Sequence, residues 1–385
     1  MKKLIFILCF LFSISTYCQV SNLEEKFELP TLVKETSGLI FFNGKAITHN
    51  DSGDGPNLYE IDTISGAITR TVTLNNATHI DWEDISQDET YIYIADIGNN
   101  NGDRQNLKIY RILKSDYTSS TNVVAEEISF SYEDQSDFTT QPLNTNFDAE
   151  AIAVYQGNIL IFTKNWIDFK TNVYVIPSSI GNHSAQKVST YDSQGLITGV
   201  SYNPNDDSFL LCGYNGSFIP FLLYISQNRP PTLDVFGGTT TKIDLIGDLF
   251  LEAGSQIEAI TYFDGSKYYI SREFFSVVIS GTTFEFTQKL YEFNNSLFQL
   301  LSTNDYLTSE STQIVPNPVG EFLNIVQKGP ILTIESIHLF TIYGKKVLTS
   351  NLNTEIDLKA ISKGIYLVQI KFKNGKSVVK KIVKK

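Results

Sequence analysis

The chain has 385 residues, enough for one large domain and a small one. Its 42 acidic and 30 basic residues give a net charge of −12, which argues against nucleic acid or an anionic membrane as partner. Aromatic residues are frequent, Asn, Thr, Ser and Gly are abundant and helix-favouring patterns are scarce, a profile that suits a secreted all-β protein.

In chain order, the first element is an export signal. Lys2 and Lys3 precede the apolar run Leu4–Phe12, and the small polar Ser13, Ser15 and Thr16 follow. The run is too short to span a membrane, and no later segment is long and apolar enough to do so. Cleavage after Cys18 makes residues 1–18 the expected signal peptide. A lipid-anchored Cys18 fits less well, because Ser15-Thr16-Tyr17 lacks the small apolar character of a lipobox. With Cys9 and Cys18 removed, Cys212 stands alone and no disulfide framework exists. Beside Gly213 in a strand-like run, it reads as an inert buried thiol.

Five segments then share one plan: a short apolar strand, a second strand ending in polar residues, and a third built around an aliphatic-Tyr pair. They begin at Ser37 (SGLIFFNGKAITHND), Glu83 (EDISQDETYIYIADIGNN), Glu150 (EAIAVYQGNILIFTKNW), Thr198 (TGVSYNPNDDSFLLCGYNG) and Glu258 (EAITYFDGSKYYISREFF). Further strand candidates such as TRTVTL and EEISFSY bring each unit to four strands, the content of a propeller blade. No such strand follows the fifth unit, but EEKFELP lies upstream of the first and can close the ring, removing an exposed sheet edge. The simplest count is five blades, and the long stretch 113–147 could hold a sixth. A stacked solenoid would need shorter, more regular repeats.

Registering the repeats puts Ser37, Glu83, Glu150, Thr198 and Glu258 at the start of the innermost strand. Two positions earlier stand Glu35, Asp81, Asp148, Leu196 and Gln256, and residues i and i+2 of a strand share a face. Asp81 and Glu83, within the stretch HIDWEDI, should therefore project together, while Trp82 and Asp84 point into the blade packing. The loops between second and third strands open on the same mouth and would bring Asn50, Asp51, Asp96, Asn165, Asn215, Arg272 and Glu273 there. So many carboxylates cannot all stay ionised in a narrow channel without compensation.

Three resolutions stand side by side. A hard cation such as calcium would take oxygens from Glu35, Asp51, Asp81, Glu83, Asp96, Asp148, Glu150, Glu258 and Glu273. Alternatively, Glu83, Glu150 and Glu258 accept backbone N–H bonds from a neighbouring blade. Or a carboxylate pair with separated pKa values serves as acid and base on a phosphoester or glycosidic substrate held near Arg272. Lys164 and Arg272 are the basic groups expected at the rim. His49 and His79 approach the mouth but read as structural, and with four histidines in all a His-rich metal site is not expected. The loop 96–106 is an ordinary long turn or a local calcium loop without EF-hand spacing. No P-loop, dinucleotide fingerprint or G-x-S-x-G occurs.

Glu-Thr-Ser-Gly-Leu at 35–39, Asp-Trp-Glu-Asp-Ile at 81–85 and Asp-Ala-Glu-Ala-Ile at 148–152 resemble the SdiA-regulated and phytase-like propeller groups, over 33–165 well and to about residue 300 loosely. That resemblance implies a secreted or periplasmic propeller, often calcium-bound. The chain lacks the basic phosphate-binding cluster that phytase activity would require.

The polar stretch 302–313 reads as a linker between the propeller (19–301) and a segment of opposite charge (314–385). From residue 313 on, twelve lysines face four acids, whereas residues 19–312 carry 16 basic and 38 acidic side chains. FLNIVQ, IHLFTIY, GIYLVQIKF and SVVKKIV alternate as strands of a small Ig-like β-sandwich of about seven strands. IVPNPVGEFLNI, IYGKKVL, IDLKAISKGIYLVQI and the terminal KKIVKK closely resemble the C-terminal sorting domain of type IX secretion cargo, with Val315 in place of the common aromatic and Thr341 in place of the usual Asp or Asn. This implies a Bacteroidetes-type source, the type IX machinery as partner, and a place outside the cell or on its outer surface. The fold expected is thus all-β, a five- or six-bladed propeller followed by a sandwich. Its expected role is binding of calcium and a small-molecule or glycan ligand, with a secreted hydrolase as the alternative.

Overall fold

The computed structural model describes residues 23–385 apart from 217, 227–231, 246–255, 280–281, 295–311, 328–332, 342–345, 351–354 and 374–376. The expected signal peptide and residues 302–311 of the expected linker lie outside the described residues.

Short runs rich in Ile, Val, Tyr and Phe, separated by Gly, Asn and Asp turns, become antiparallel strands. They make five four-stranded blades. Blade 1 runs Thr36–Phe42, Lys45–Asn50, Asn57–Ile61 and Ile68–Leu74. Blade 2 runs Trp82–Gln87, Tyr91–Asp96, Lys108–Leu113 and Glu126–Tyr132. Blade 3 is Ala149–Tyr155, Asn158–Thr163, Thr171–Pro177 and Gly181–Tyr191. Blade 4 is Leu196–Asn203, Ser208–Tyr214, Pro220–Ile225 and Thr240–Asp244. Blade 5 takes Ile257–Asp264, Lys267–Arg272 and Lys289–Asn294 from its own repeat and the N-terminal strand Glu24–Glu28 as its outer edge. The ring thus closes with the upstream segment that the sequence singled out. The stretch 113–147 holds no sixth blade: it contains a helix, Lys114–Ser119, a short strand, Asn122–Val123, added in parallel to blade 1, and the outer strand of blade 2. That outer strand also pairs in parallel with Gly181–Tyr191, fusing the edges of blades 2 and 3.

The first strand of each blade packs against that of the next, and blade 5 meets blade 1. The hydrophobic core lies between blades. Trp82 is fully buried with Ile40 and Ile47 of blade 1 and Ile94 and Tyr110 of blade 2. Polar stitches cross the same interfaces. Asp84 accepts from Ile152 N (2.8 Å), Ser86 Oγ from Val154 N (3.3 Å) and Ser201 Oγ from Tyr262 N (2.8 Å). Ser37 and Thr198 donate to the carbonyls of Glu83 and Ile257. Cys212 is buried as a free thiol, the inert role expected.

The C-terminal unit has seven strands among the described residues. One sheet holds Thr312–Val315, Phe322–Gln327 and Glu355–Asp357; the other holds Lys346–Ser350, Ile334–Thr341, Gly364–Phe372 and Ser377–Lys384. Its first strand takes in the last two residues of the expected linker. Ile337, Leu339, Val368, Ile370 and Phe372 form its core. Asn317 ties the first segment to the final strand, donating to Lys381 O (3.0 Å) and accepting from Val383 N (2.9 Å). Among the described residues no helix is long and apolar enough to cross a membrane.

A chain beginning at Pro30 lacks the closing strand and leaves the edge of blade 5 open. Lost burial of Leu29 and Phe27 and the lost ladder should cost at least about 3 kcal/mol. Chemical denaturation checks this; an unchanged midpoint would mean that the ring does not depend on closure.

Candidate acidic site at the channel mouth

Every inner strand breaks its register near its start, and that of blade 5 does so a second time between Tyr262 and Asp264. The extra residue is Gly38, Glu83, Glu150, Thr198 and Glu258 in blades 1 to 5. A bulge re-aims the side chain it carries, and here it turns three glutamates toward one another on the axis. Blade 1 departs from the sequence register by one residue, for Gly38, not Ser37, is the counterpart of Glu83. The position is a tight one: Gly38 has φ +59°, and a Cβ there would lie 2.6 Å from both His49 Nε2 and Ile85 N. Ser37 is left free to make its stitch to blade 2. Glu35 therefore reaches the mouth from the turn after Thr31–Val33 and is not the register partner of Asp81.

Asp81 and Glu83 do project together. Both carboxylates rest against Gly98, where a Cβ would stand 2.3 Å from Asp81 Oδ2 and 2.1 Å from Glu83 Oε1. Glu83 is only 5% exposed, and among the described residues its carboxylate has no hydrogen-bond or ion-pair partner. Burial, then the charges of Glu150, Asp81, Asp148 and Asp51, push its pKa well above the usual carboxylate range. Burial and the charge of Asp148 raise Asp81 to about 6.

Glu150 is buried against Lys164, 2.7 Å away. Burial raises Glu150 even so. Burial also works against the Lys164 ammonium, but the charge of Glu150, with Tyr214, Glu258 and Asp148, outweighs it and holds the pKa well above its usual value. The ammonium lies over the rings of Trp166 (5.0 Å) and Tyr214 (5.4 Å). Glu258, raised well above its usual value mainly by burial, receives a long bond from Gln256 Nε2 (3.5 Å).

A second group adjoins these. One carboxylate oxygen each from Glu35, Asp51 and Glu273 lies within 4.8 Å of the other two. Asp51 Oδ1 is buried with no hydrogen-bond partner. Burial, Asp51 and Glu35 push Glu273 up to about 8. Asp51 joins the two groups, since its charge also raises Asp81 and Glu83.

Other expected residues are held by bonds of their own, Asp148 and Asp96 close enough to act on Asp81. Asp96 pairs with Arg104 (2.7 Å) and accepts from Asp81 N, so it braces the loop. Asp148 is held by Asn99 N (2.6 Å) and Trp166 Nε1 (2.8 Å). Asn50 bonds Leu32 O and Asp54, Asn165 bonds Thr163 and Asp168, and Asn215 accepts from Ile219 N, so these amides hold their own loops. Arg272 is not a rim cation. It is fully buried in blade 5, donating to Thr287 O (3.0 Å) beside the Tyr291 ring, and the acids acting on it are Glu25 and Glu28 of the closing strand. Strand alternation turns it away from Glu273, its neighbour at the mouth. The backbone-acceptor role expected of Glu83, Glu150 and Glu258 falls to Asp84 and the serines.

His49 is buried edge-on to Trp82, its pKa lowered to about 4 mainly by burial, and His79 bonds the carbonyls of Asp54 and Asp51. Both are structural. Loop 96–106 is a turn braced by Arg104 on Gly98 O (2.6 Å) and by Asn99 on Arg104 N (2.9 Å). Arg104, Trp166 and Tyr214 were missed by sequence reading; only the proximity of Arg104 to the acidic loop hinted at it.

Residues 313–385 match the model of the secretion system C-terminal sorting domain. The C-terminal unit is a type IX sorting domain. Through it the protein is cargo of the type IX machinery and is secreted or held at the outer cell surface. No curated protein matches the chain. Among solved structures, an exo-β-1,3-galactanase from Phanerochaete chrysosporium is 9% identical, with 94% of this chain and 100% of that chain covered and a TM-score of 0.45. An α-L-arabinanase from Penicillium chrysogenum is 10% identical over 71% and 98%, TM-score 0.40. A chain of the mitotic checkpoint complex is 12% identical over 66% of this chain, TM-score 0.30, and this chain spans only 61% of its length. These are distant likenesses in the course of the chain.

The raised values set a sign. A carboxyl whose folded pKa lies above its unfolded one stabilises fully below the unfolded value and loses that contribution as pH rises through the folded one. With Asp81 at about 6 and Glu273 at about 8, the protein in chelator should lose stability from about pH 4 to pH 8. Glu83→Gln removes a buried charge that has no partner and should raise stability in chelator at pH 8 by at least about 1 kcal/mol, one pKa unit being about 1.4 kcal/mol. Melting in chelator across this range tests both; a destabilised Glu83→Gln would return Glu83 to a structural role.

Proposed function

We propose that this exported propeller binds a hard divalent cation, calcium, at the acidic mouth and uses it to hold a small-molecule or glycan ligand. The observation that carries this reading is the trio Glu35, Asp51 and Glu273, with oxygens within 4.8 Å of one another. Calcium–oxygen distances are about 2.3–2.6 Å, so oxygens on opposite sides of one ion stand about 5 Å apart. The unpartnered Asp51 Oδ1 and the partnerless Glu83 carboxylate fit the same need for positive charge. Donor chemistry also agrees, since the trio and its neighbours Asp81 and Glu83 supply oxygen alone, which favours calcium over a softer metal. Bound there, the ion would supply charge compensation and a Lewis-acidic face toward the ligand.

A hydrolase is the second reading. Glu150 stands against an ammonium while nearby Glu83 has no partner, and unequal surroundings of this kind separate an acid from a base. Glu83→Gln would then abolish turnover of a phosphoester or glycosidic substrate with the fold kept.

Calcium added to chelator-stripped protein at pH 7 should raise the melting temperature. At one hundred times Kd the gain is about 2.7 kcal/mol, or about 5–10 °C at about 2–4 °C per kcal/mol for a domain of this size. Asp51→Asn should weaken calcium binding at least tenfold by calorimetry. If calcium leaves both the melting curve and the calorimetric baseline unmoved, the cation reading fails.

A further inference from the structure

At the other end of the channel the chemistry reverses. The second halves of all five inner strands enclose a cavity of about 860 Å³, lined by residues 39–42, 85–87, 200–202 and 260–263 with Val154. Phe41, Phe42, Tyr202, Tyr262 and Phe263 line it, each only half-buried. The charged lining residues are Asp88, Glu89 and Lys114, all from blade 2, and the blade engages two of them. Asp88 accepts from Thr90 N, Tyr91 N and Tyr93 Oη, and Lys114 donates to Asp88 O with its ammonium 4.8 Å from the Phe42 ring. Polar groups interrupt the apolar wall, among them Asn43, Gln87, Gln156 and the hydroxyls of Thr90, Thr261, Ser86 and Ser201; the Thr261 hydroxyl donates to Tyr262 O and the Tyr202 hydroxyl to Asp207. Ser86 Oγ and Ser201 Oγ each accept a backbone N–H from the next blade, which leaves each hydroxyl proton to be donated inward.

We propose that this cavity is a second binding site, chemically opposite to the acidic mouth, for an uncharged and mainly apolar small molecule bearing a carbonyl or ether oxygen. The volume falls within the roughly 300–1,000 Å³ of ligand clefts, which combine apolar walls with a few convergent polar groups. A charged ligand would be desolvated on entry without an opposite charge on the four inner strands of blades 1, 3, 4 and 5. An acceptor oxygen answers the two serine hydroxyls, and an apolar body covers the aromatic faces. Because this site stands on the far half of the inner strands, it does not depend on the cation reading.

The test uses the full chain and prodan, an uncharged naphthyl ketone that fluoresces more strongly and to the blue in apolar surroundings. Saturable binding of one probe per chain is expected, unchanged by chelator and by Asp51→Asn. Hydrogen exchange should slow in residues 39–42 and 260–263 when the probe is bound. Val154→Trp, which projects an indole into the cavity, should weaken binding at least tenfold. No saturable fluorescence with folded protein, equal affinity in a folded Val154→Trp chain, or slowed exchange confined to other segments would each overturn the proposal. The exchange measurement stands on the unsubstituted chain, so it decides the matter even where Val154→Trp fails to fold.

Discussion

Five inner strands crowd around one axis, and each carries an extra residue where it enters the channel. This repeated bulge is the constraint on which the site depends. A regular strand would send alternate side chains to opposite faces along its whole length. The bulge turns Glu83, Glu150 and Glu258 to the axis and lets the next residue, such as Asp84, serve the blade interface. Where the bulged residue is Gly38, the close approach of His49 and Ile85 leaves no room for a side chain.

Burial then makes these carboxylates costly, and the protein compensates unequally. Glu150 has Lys164, Asp148 has two donors, Asp96 has Arg104, and Glu258 has one long bond from Gln256. Among the described residues, the Glu83 carboxylate, one oxygen of Asp51 and the second oxygen of Asp96 have no hydrogen-bond partner. The uncompensated groups mark where function should be sought, because a buried charge without a partner is destabilising unless a proton or a cation supplies what the fold withholds. The two ends of the channel are thereby divided: acidic where the strands begin, aromatic and nearly neutral where they end.

Much of this was legible from periodicity. Repeats beginning at residues 37, 83, 150, 198 and 258 give the blade count, and EEKFELP gives the closing strand, since each is a local pattern of apolar runs and turns. Asp81 with Glu83 was read correctly from alternation. Alternation failed for blade 1 by one residue, because a bulge leaves no mark on apolar–polar order. It also misplaced Arg272, whose neighbour Glu273 points to the mouth while the guanidinium turns into the blade. Loop amides failed for a different reason: Asn50 and Asn215 bond backbone groups and Asn165 bonds the Thr163 and Asp168 side chains, a choice made by turn geometry.

What the chain determines by itself is its class, its repeat and its address. Strand periodicity, blade-sized spacing and the Pro-Asn-Pro and Lys-rich signature of the sorting domain are local properties, carried by neighbours along the chain. The tertiary structure alone decided which carboxylates meet, which find a cation or donor, and that the channel has an apolar end. Those outcomes depend on side chains from blades far apart in sequence, brought together by ring closure, and on one-residue changes of register that no local pattern encodes.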